Sequence, residues 1–324
     1  MARADLVQPN HLVEERVEHW SDYLTALATV EFVRGREVSR HSKSHVLRWL
    51  NGPGGVPWGA NPADFDADAV TGTLSSVGRL FGEEAWPRRY FPLDVQGMEH
   101  VPQPPVMIVS NHSGGTTIPD VWGFLVAWYR HFGVERPIHP LAHEMIVSTP
   151  LIGPYFAKRG ILRATNELAR TALQDFRRDI MVMPGGDLET WRPWRRRFEV
   201  DFGGRRGYAR LAIQTGTPIV PVAHAGAHDT FMVLTDGRKI ARFLHLDAFA
   251  RAQVFPVSLA LPWGLAIGPL PHIPIPARLH YRIGAPVVPP AIEPGSAPTD
   301  EQVRAMDSSV RGAIQSMLDQ LKSA

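Results

Sequence analysis

The sequence predicts an α/β protein: a mixed central sheet flanked by helices, preceded by an N-terminal helical segment. From residue 90 onward, short apolar runs alternate with stretches of helical periodicity, the pattern of a sheet covered by helices with sites at strand ends. Ahead of them, "HLVEERVEHWSDYLTALATVEF" carries apolar residues at helical spacing. We place the boundary at residue 90, with 1–90 as the helical segment and 91–324 as the main domain.

The elements follow in order. Residues 11–50 read as helices, and "NGPGGVPWGANP" (Asn51–Pro62) interrupts them with Gly and Pro. Residues 64–90 read as helical again, and "RYFPLDVQGMEHVP" leads towards the first strand. Strands are predicted at 105–110, 179–184, 218–223 and 278–284, where apolar runs are short and bounded by turn residues. Helices are predicted at Asp120–Phe132, at Thr165–Arg178 behind a Thr/Asn cap, and at Arg206–Thr215 ending on Gly216. A last amphipathic helix starts at Thr299 with a capping-box pattern.

Composition narrows the chemistry. The 324 residues contain no cysteine, which excludes disulfides, thiolate metal sites and a cysteine nucleophile. The N-terminus lacks the apolar core of a signal peptide, and no stretch offers about 20 uninterrupted apolar helical residues. Residues 252–277 come nearest, with no Asp, Glu, Lys or Arg, but prolines at 256, 262, 269, 271 and 274 argue against a straight helix. This segment is either buried coil and strand or an apolar lip that meets a bilayer surface. Charge is uneven: ten Lys/Arg against fourteen Asp/Glu in residues 1–100, and thirteen against seven in 151–210. Such a basic region suits anionic lipid or a phosphorylated small molecule; no nucleic-acid motif accompanies it.

Four segments carry the chemistry. In "VMIVSNHSGGTTIPD", an apolar run ends in Asn111-His112, two glycines follow, and Asp120 comes after Pro119. A histidine at a strand end suits a base near neutral pH, and a carboxylate on its other ring nitrogen fixes the tautomer. Gly114-Gly115 allow the chain to reverse and bring Asp120 back. The free N–H groups of such a turn, at Ser113, Gly114 and Gly115, suit an oxyanion. A plainer account makes Asp120 a helix N-cap and His112 a loop residue. In "MVMPGGDLETWRPWRRRFEV", the turn Pro184-Gly185-Gly186-Asp187 precedes Arg192, Arg195, Arg196 and Arg197, interleaved with Trp191 and Trp194. This is a binding rim for phosphate or a solvated basic loop. In "YFAKRGILRATNELA", Lys158, Arg159 and Arg163 flank an expected helix N-terminus, a site for an anion. In "PIVPVAHAGAHDTF", His224 and His228-Asp229 have neither helical context nor a third ligand, and we expect no metal.

Taken together and in this order, the four segments resemble the phospholipid/glycerol acyltransferase superfamily, and within it the lysophospholipid and monoacylglycerol acyltransferase-like branch. The superfamily's His-x4-Asp signature is not met, because position 117 is Thr; the branch's "NHSGG…D" form is met by Asn111 through Asp120. Phe156–Arg163 correspond to the second block, Pro184-Gly185-Gly186 to the "PEG" block, and Val220-Pro221 to the "VP" block. The likeness covers about residues 90–290 and implies an acyltransferase domain over 91–324. It implies that His112 is the general base and Asp120 its orienter, with acyl transfer from acyl-CoA or an acyl-carrier thioester to a glycerolipid or lysophospholipid hydroxyl. It implies Lys158, Arg159, Arg163, Pro184, Gly185, Gly186, Asp187, Arg192 and Arg195 as substrate-binding residues, no bound cofactor, and a peripheral or monotopic place on the cytoplasmic face of a membrane. Gly185 stands where the "PEG" block has glutamate, which bears on whether the acceptor is phosphorylated. Were Asp120 not to fold back, Glu144 or Asp187 would be the partner of His112. A thioester or ester hydrolase using the same base, and a non-catalytic lipid-binding protein of the same fold, are the rival functions.

Overall fold

The computed structural model describes residues 61–147, 152–243, 245, 253–293 and 295–323; the helices expected over residues 11–50 lie outside these. The strands are β1 (Phe81–Gly82), β2 (Phe91–Gln96), β3 (Met107–Ser110), β4 (Ile138–Ala142), β5 (Leu162–Arg163), β6 (Asp179–Val182), β7 (Ile219–Ala225), β8 (Met232–Thr235), β9 (Val257–Ala260), β10 (Gly264–Ile267) and β11 (Leu279–Ile283). Eight of them form the main sheet in the order β1-β2-β11-β7-β3-β6-β4-β5. Neighbours are parallel except at the β11–β7 junction, so the expected mixed sheet is present. β8, β9 and β10 form a separate antiparallel sheet.

The principal helices are α1 (Ala67–Ser76), α2 (Pro119–Phe132), α3 (Asn166–Arg170), α4 (Asp187–Thr190), α5 (Gly207–Thr215) and α6 (Asp300–Ser323). Local chemistry sets their ends. Pro119 opens α2, where a missing N–H costs nothing. Gly216, at φ 65°, closes α5. Thr299 and Gln302 exchange side-chain and backbone hydrogen bonds at the start of α6, a capping box. Thr165 caps α3 through Leu168 N, but the long helix expected to Arg178 ends early: residues 171–175 widen into a π-turn.

The four predicted strands appear within two residues of their expected ends. β2 and β4 escape the apolar-run reading because Pro92 and Asp94 interrupt one and His139 and Pro140 the other. Residues 64–90 are only partly helical, passing from α1 through a tight turn into β1. Val70 and Phe81 from this stretch are buried in the same core as β2 and α2.

Two apolar layers sandwich the sheet. Along β3, Ile108 faces the layer formed with α2, while Met107 and Val109 face α5 and α6. Strands buried on both faces read as unbroken apolar runs, which is why "VMIVS" and "PIVPVA" stand out. Because β3, β6 and β7 are parallel, the loops at their carboxyl ends gather at one edge of the sheet. Asn111 ties two of them together: its Nδ2 donates to the His224 carbonyl and its Oδ1 accepts from His224 N–H, both at 2.8 Å. The side chain thus continues the β3–β7 ladder one step beyond Ser110.

Asn111→Ala should leave the buried N–H and C=O of His224 unpaired and cost about 2–4 kcal/mol. Urea unfolding, with the slope unchanged, measures this loss.

Candidate active site

The turn after β3 brings His112 and Asp120 together. Two glycines in left-handed conformation, Gly114 (φ 96°) and Gly115 (φ 62°), reverse the chain before Pro119 starts α2. Their close approach also needs the missing side chain, since a Cβ on Gly114 would meet the Pro119 ring and one on Gly115 the rings of His272 and Phe231. His112 Nδ1–H then donates to Asp120 Oδ2 at 2.6 Å, and the same oxygen accepts Ser113 N–H at 2.8 Å. Asp120 is fully buried, whereas the His112 side chain is 15% exposed. With Nδ1 engaged, Nε2 is the ring atom left for a substrate.

Burial opposes charge on both groups, and each is nevertheless held towards its ionised form by the other. The His112 ring is desolvated, yet the Asp120 carboxylate and, further off, Glu189 raise its pKa above the ordinary value. Asp120, despite its burial, is lowered by His112 and by the Ser113 N–H. Tyr281, on β11, donates its hydroxyl to the Asp120 carbonyl at 2.8 Å, and Gly123 gives that hydroxyl room.

A second buried carboxylate holds the His112 backbone. Glu189 Oε2 accepts His112 N–H at 3.1 Å, while Oε1 accepts Asp201 N–H at 2.9 Å and Arg192 Nη1 at 3.0 Å. Glu189 and Arg192 are both fully buried. Burial raises the Glu189 pKa, and Arg192 pulls it part of the way back. Beyond Arg192 lies His228, 3.4 Å from Nη2. Burial pushes His228 well below its ordinary pKa and brings His224 to about 4, so both stay neutral. Among the described residues no group of three His, Asp or Glu is placed to hold a metal.

An acid-oriented histidine at the end of a central strand, with basic and glycine-rich loops beside it, is equipped to take a proton from a hydroxyl. Residues 92–225, from β2 through β7, match the family model described as Acyltransferase. This span is similar to the acyltransferase family. Related chains include an uncharacterized protein of Mycobacterium tuberculosis (strain ATCC 25618 / H37Rv), 27% identical over 202 residues that make up 62% of this chain and 53% of that protein. Another is an uncharacterized protein of Mycobacterium leprae (strain TN), 24% identical over 201 residues, 62% of this chain and 52% of its own. The chain therefore spans about half the length of these relatives. Among solved structures, the 1-acyl-sn-glycerophosphate (LPA) acyltransferase PlsC of Thermotoga maritima is 16% identical, covering 72% of this chain and 74% of that one at a TM-score of 0.44. A likeness that loose carries no argument.

The structure places the other expected residues unevenly. Of the turn residues named for an oxyanion, Ser113 has its N–H committed to Asp120, which leaves the N–H groups of Gly114 and Gly115. Pro184, Gly185, Gly186 and Asp187 form the turn into α4. It is tied to its own chain: Arg205 donates to the Pro184 and Gly185 carbonyls and to Asp187 Oδ1, and Gln253 N–H donates to Asp187 Oδ2. Asp187 is thus no partner for His112, and the Glu144 side chain lies outside the described residues. Arg192 is not part of a rim. It is buried against Glu189, whereas Arg195 is exposed. Lys158, Arg159 and Arg163 do not flank one helix N-terminus, because β5 intervenes. Lys158 is exposed just past a short helix, Ile152–Ala157, and Arg159 stacks 3.5 Å over the Tyr155 ring and bonds Thr73. Arg163 is buried in β5.

Glu189, Arg205 and Tyr281 were not singled out from the sequence. Glu189 had a signal: it stands four residues after Gly185, and a Cβ at 185 would overlap its Cγ and carboxylate. The glycine that replaces the expected glutamate is the space into which this other glutamate folds. Gly185→Ala should displace the Glu189 side chain and destabilise the protein by about 1–3 kcal/mol. Glu189→Ala should cost more, about 3–5 kcal/mol, because it leaves Arg192 buried and unpaired. Thermal melting of the two variants side by side tests that ranking.

Proposed function

We propose that this protein is an O-acyltransferase that moves a fatty acyl group from an acyl-CoA or acyl-carrier-protein thioester to a hydroxyl of a glycerolipid or lysophospholipid. The observation that carries the proposal is the 2.6 Å hydrogen bond from His112 Nδ1 to the fully buried Asp120, in a span that matches the acyltransferase family. A binding protein has no need of an acid-oriented base.

In this mechanism His112 Nε2 accepts the proton of the acceptor hydroxyl as its oxygen forms a bond to the thioester carbonyl carbon. The carbonyl oxygen becomes an oxyanion, for which the Gly114 and Gly115 N–H groups are the turn's available donors. Collapse breaks the C–S bond. The thiolate leaves with the proton from the imidazolium, and the ester and the free thiol are the products. Asp120 keeps Nδ1 protonated and stabilises the transient cation, without itself taking the proton. No covalent enzyme intermediate and no metal enter the scheme.

His112→Ala should lower turnover by about 10²–10⁴-fold, the usual share of general-base catalysis. The assay is release of free coenzyme A from palmitoyl-CoA with monoacylglycerol, diacylglycerol or lysophosphatidate added separately, repeated with a carrier-linked donor. Release that needs an acceptor and vanishes in the variant supports transfer; release without any acceptor identifies a hydrolase. No release with either donor and any acceptor defeats the proposal.

The pH dependence has a definite sign. A base must be neutral, and the raised His112 pKa keeps the ring protonated to higher pH. kcat/KM should therefore fall on the acid side with an apparent pKa above about 6.5. Asp120→Asn removes the charge that raises it, so that limb should move to lower pH as the rate drops. A limb that stays in place would show that another group titrates there.

A further inference from the structure

We propose that the outer face of the β8–β9–β10 sheet docks on the surface of a lipid bilayer. Successive residues of a strand point to opposite faces. Here Val233, Ala260 and Ala266 point inward onto Leu188, Trp191 and Phe231. The register aligns Met232, Leu259 and Leu265 in one outward row across the three strands, and these are 40%, 45% and 57% exposed. Ile267, Trp263 and Ile273 extend the same run of exposed apolar residues. An antiparallel sheet with one face in water alternates apolar and polar residues. This one is apolar on both faces, and an exposed apolar patch of this breadth marks an interaction surface.

The chemistry around the face favours lipid. A protein interface surrounds its apolar centre with a polar rim, whereas residues 252–277 contain no formal charge at all. Beside the sheet, the short helix Arg238–Phe243 exposes Lys239 and Arg242 along with Ile240 and Phe243, the mixture that draws a peripheral element to an anionic interface. From 232 to 278 the chain carries five Lys/Arg and two Asp/Glu. The Trp263 indole is half exposed and fixed by a hydrogen bond from Nε1 to the Pro271 carbonyl at 2.6 Å, the amphipathic anchor typical of the headgroup region. No helix among the described residues is long and apolar enough to cross a membrane.

The same segment leads to the active site. His272 is buried between the sheet and the catalytic turn, 3.3 Å from both Thr116 Oγ1 and Thr117 Oγ1, with its ring 4.2 Å from that of Phe231. The docking face and the turn that carries His112 are thus linked through Phe231 and His272, with the turn on the inner side of the small sheet. The docking does not rest on the acyl-transfer reading.

The test is sedimentation of the full chain with phosphatidylcholine vesicles containing phosphatidylglycerol, with no acyl donor present, so that failure of the enzymatic reading leaves it intact. The wild type should bind. Trp263→Ser combined with Leu265→Ser and Ile267→Ser should weaken binding by about tenfold or more, with little change in melting temperature, since all three side chains are exposed. Lys239→Ala with Arg242→Ala should weaken it at low salt only. Should the triple variant unfold, quenching of tryptophan fluorescence by brominated acyl chains, smaller in Trp263→Phe than in wild type, gives the same information. A wild type that ignores vesicles, or a folded triple variant that binds as well as wild type, overturns the proposal. So does a wild-type dimer that the triple variant dissolves, because that would make the face a contact between copies of the chain.

Discussion

The edge of the sheet that carries His112 depends on a buried carboxylate that only accepts. Glu189 receives the N–H of His112, the N–H of Asp201 and the guanidinium of Arg192. It therefore fixes the start of one loop, the approach of another and the charge of a third group at once. A turn that leaves a strand inside a core has backbone donors that water cannot reach, and each left unpaired would cost free energy comparable to a lost hydrogen bond. Glu189 and Asp120 divide these donors between them, one taking His112 N–H and the other Ser113 N–H. The His112 ring is thus positioned from its backbone as well as through Nδ1.

This arrangement explains why the loops after β3 and β6 are spelled as they are. Gly114 and Gly115 reverse the chain so that α2 returns Asp120 to the ring eight positions earlier. Gly185 leaves the volume that Glu189 fills, and Arg205 secures the turn by binding its carbonyls. The parallel pairing of β3 with β6 and β7 brings these loops to one edge, and Asn111 locks the β3–β7 side of it. Burial then selects the charges. His224 and His228 are held neutral by desolvation, which the Asp120 charge near His224 does not offset, and of these three site histidines only His112 is shifted upward.

What could be read from the sequence was what local chemistry dictates. The central strands β3, β6 and β7 are buried on both faces and so appear as plain apolar runs. The ends of α2, α5 and α6 carry Pro, Gly and capping-box residues. The His112–Asp120 contact was legible because the glycine pair allows the chain to reverse and because the segment resembles the "NHSGG…D" form; spacing alone left the helix N-cap account open. β2, β4 and β5 were not, since outer or short strands tolerate Pro, Asp and His within them. Glu189 and Arg192 lay in a stretch whose density of arginine suggests solvent, and only the fold shows that Arg192 turns inward while Arg195 stays outside. Periodicity within one segment cannot reveal that a carboxylate on α4 reaches the backbone after β3, because that contact belongs to the sheet order. The uncharged run 252–277 posed a choice between core and surface; its alternating faces are buried and exposed in turn.

The charges enclosed at the site lead to a last consequence. Glu189 accepts from three donors, the environment that suits an ionised carboxylate even though burial raises its pKa, and Asp120 is held towards its ionised form by His112 and the Ser113 N–H. Against two negative charges the interior sets one permanent positive charge, Arg192. With His112 neutral the cluster carries a net negative charge, and protonation of His112 brings it to balance. In the proposed mechanism, proton uptake from an acceptor hydroxyl would relieve this imbalance in a region where charge is poorly screened; the Asp120 charge is the main cause of the raised His112 pKa. The same balance limits the base, since a ring that gains too much by protonation would be occupied before substrate arrives. Arg192, placed behind Glu189 rather than beside the ring, moderates the effect: it lowers the His112 pKa slightly while pinning the carboxylate that holds the loop. The buried arginine, which from sequence looked like a substrate-binding group, thus acts on the histidine in front of it through Glu189, whose carboxylate it holds against the His112 backbone.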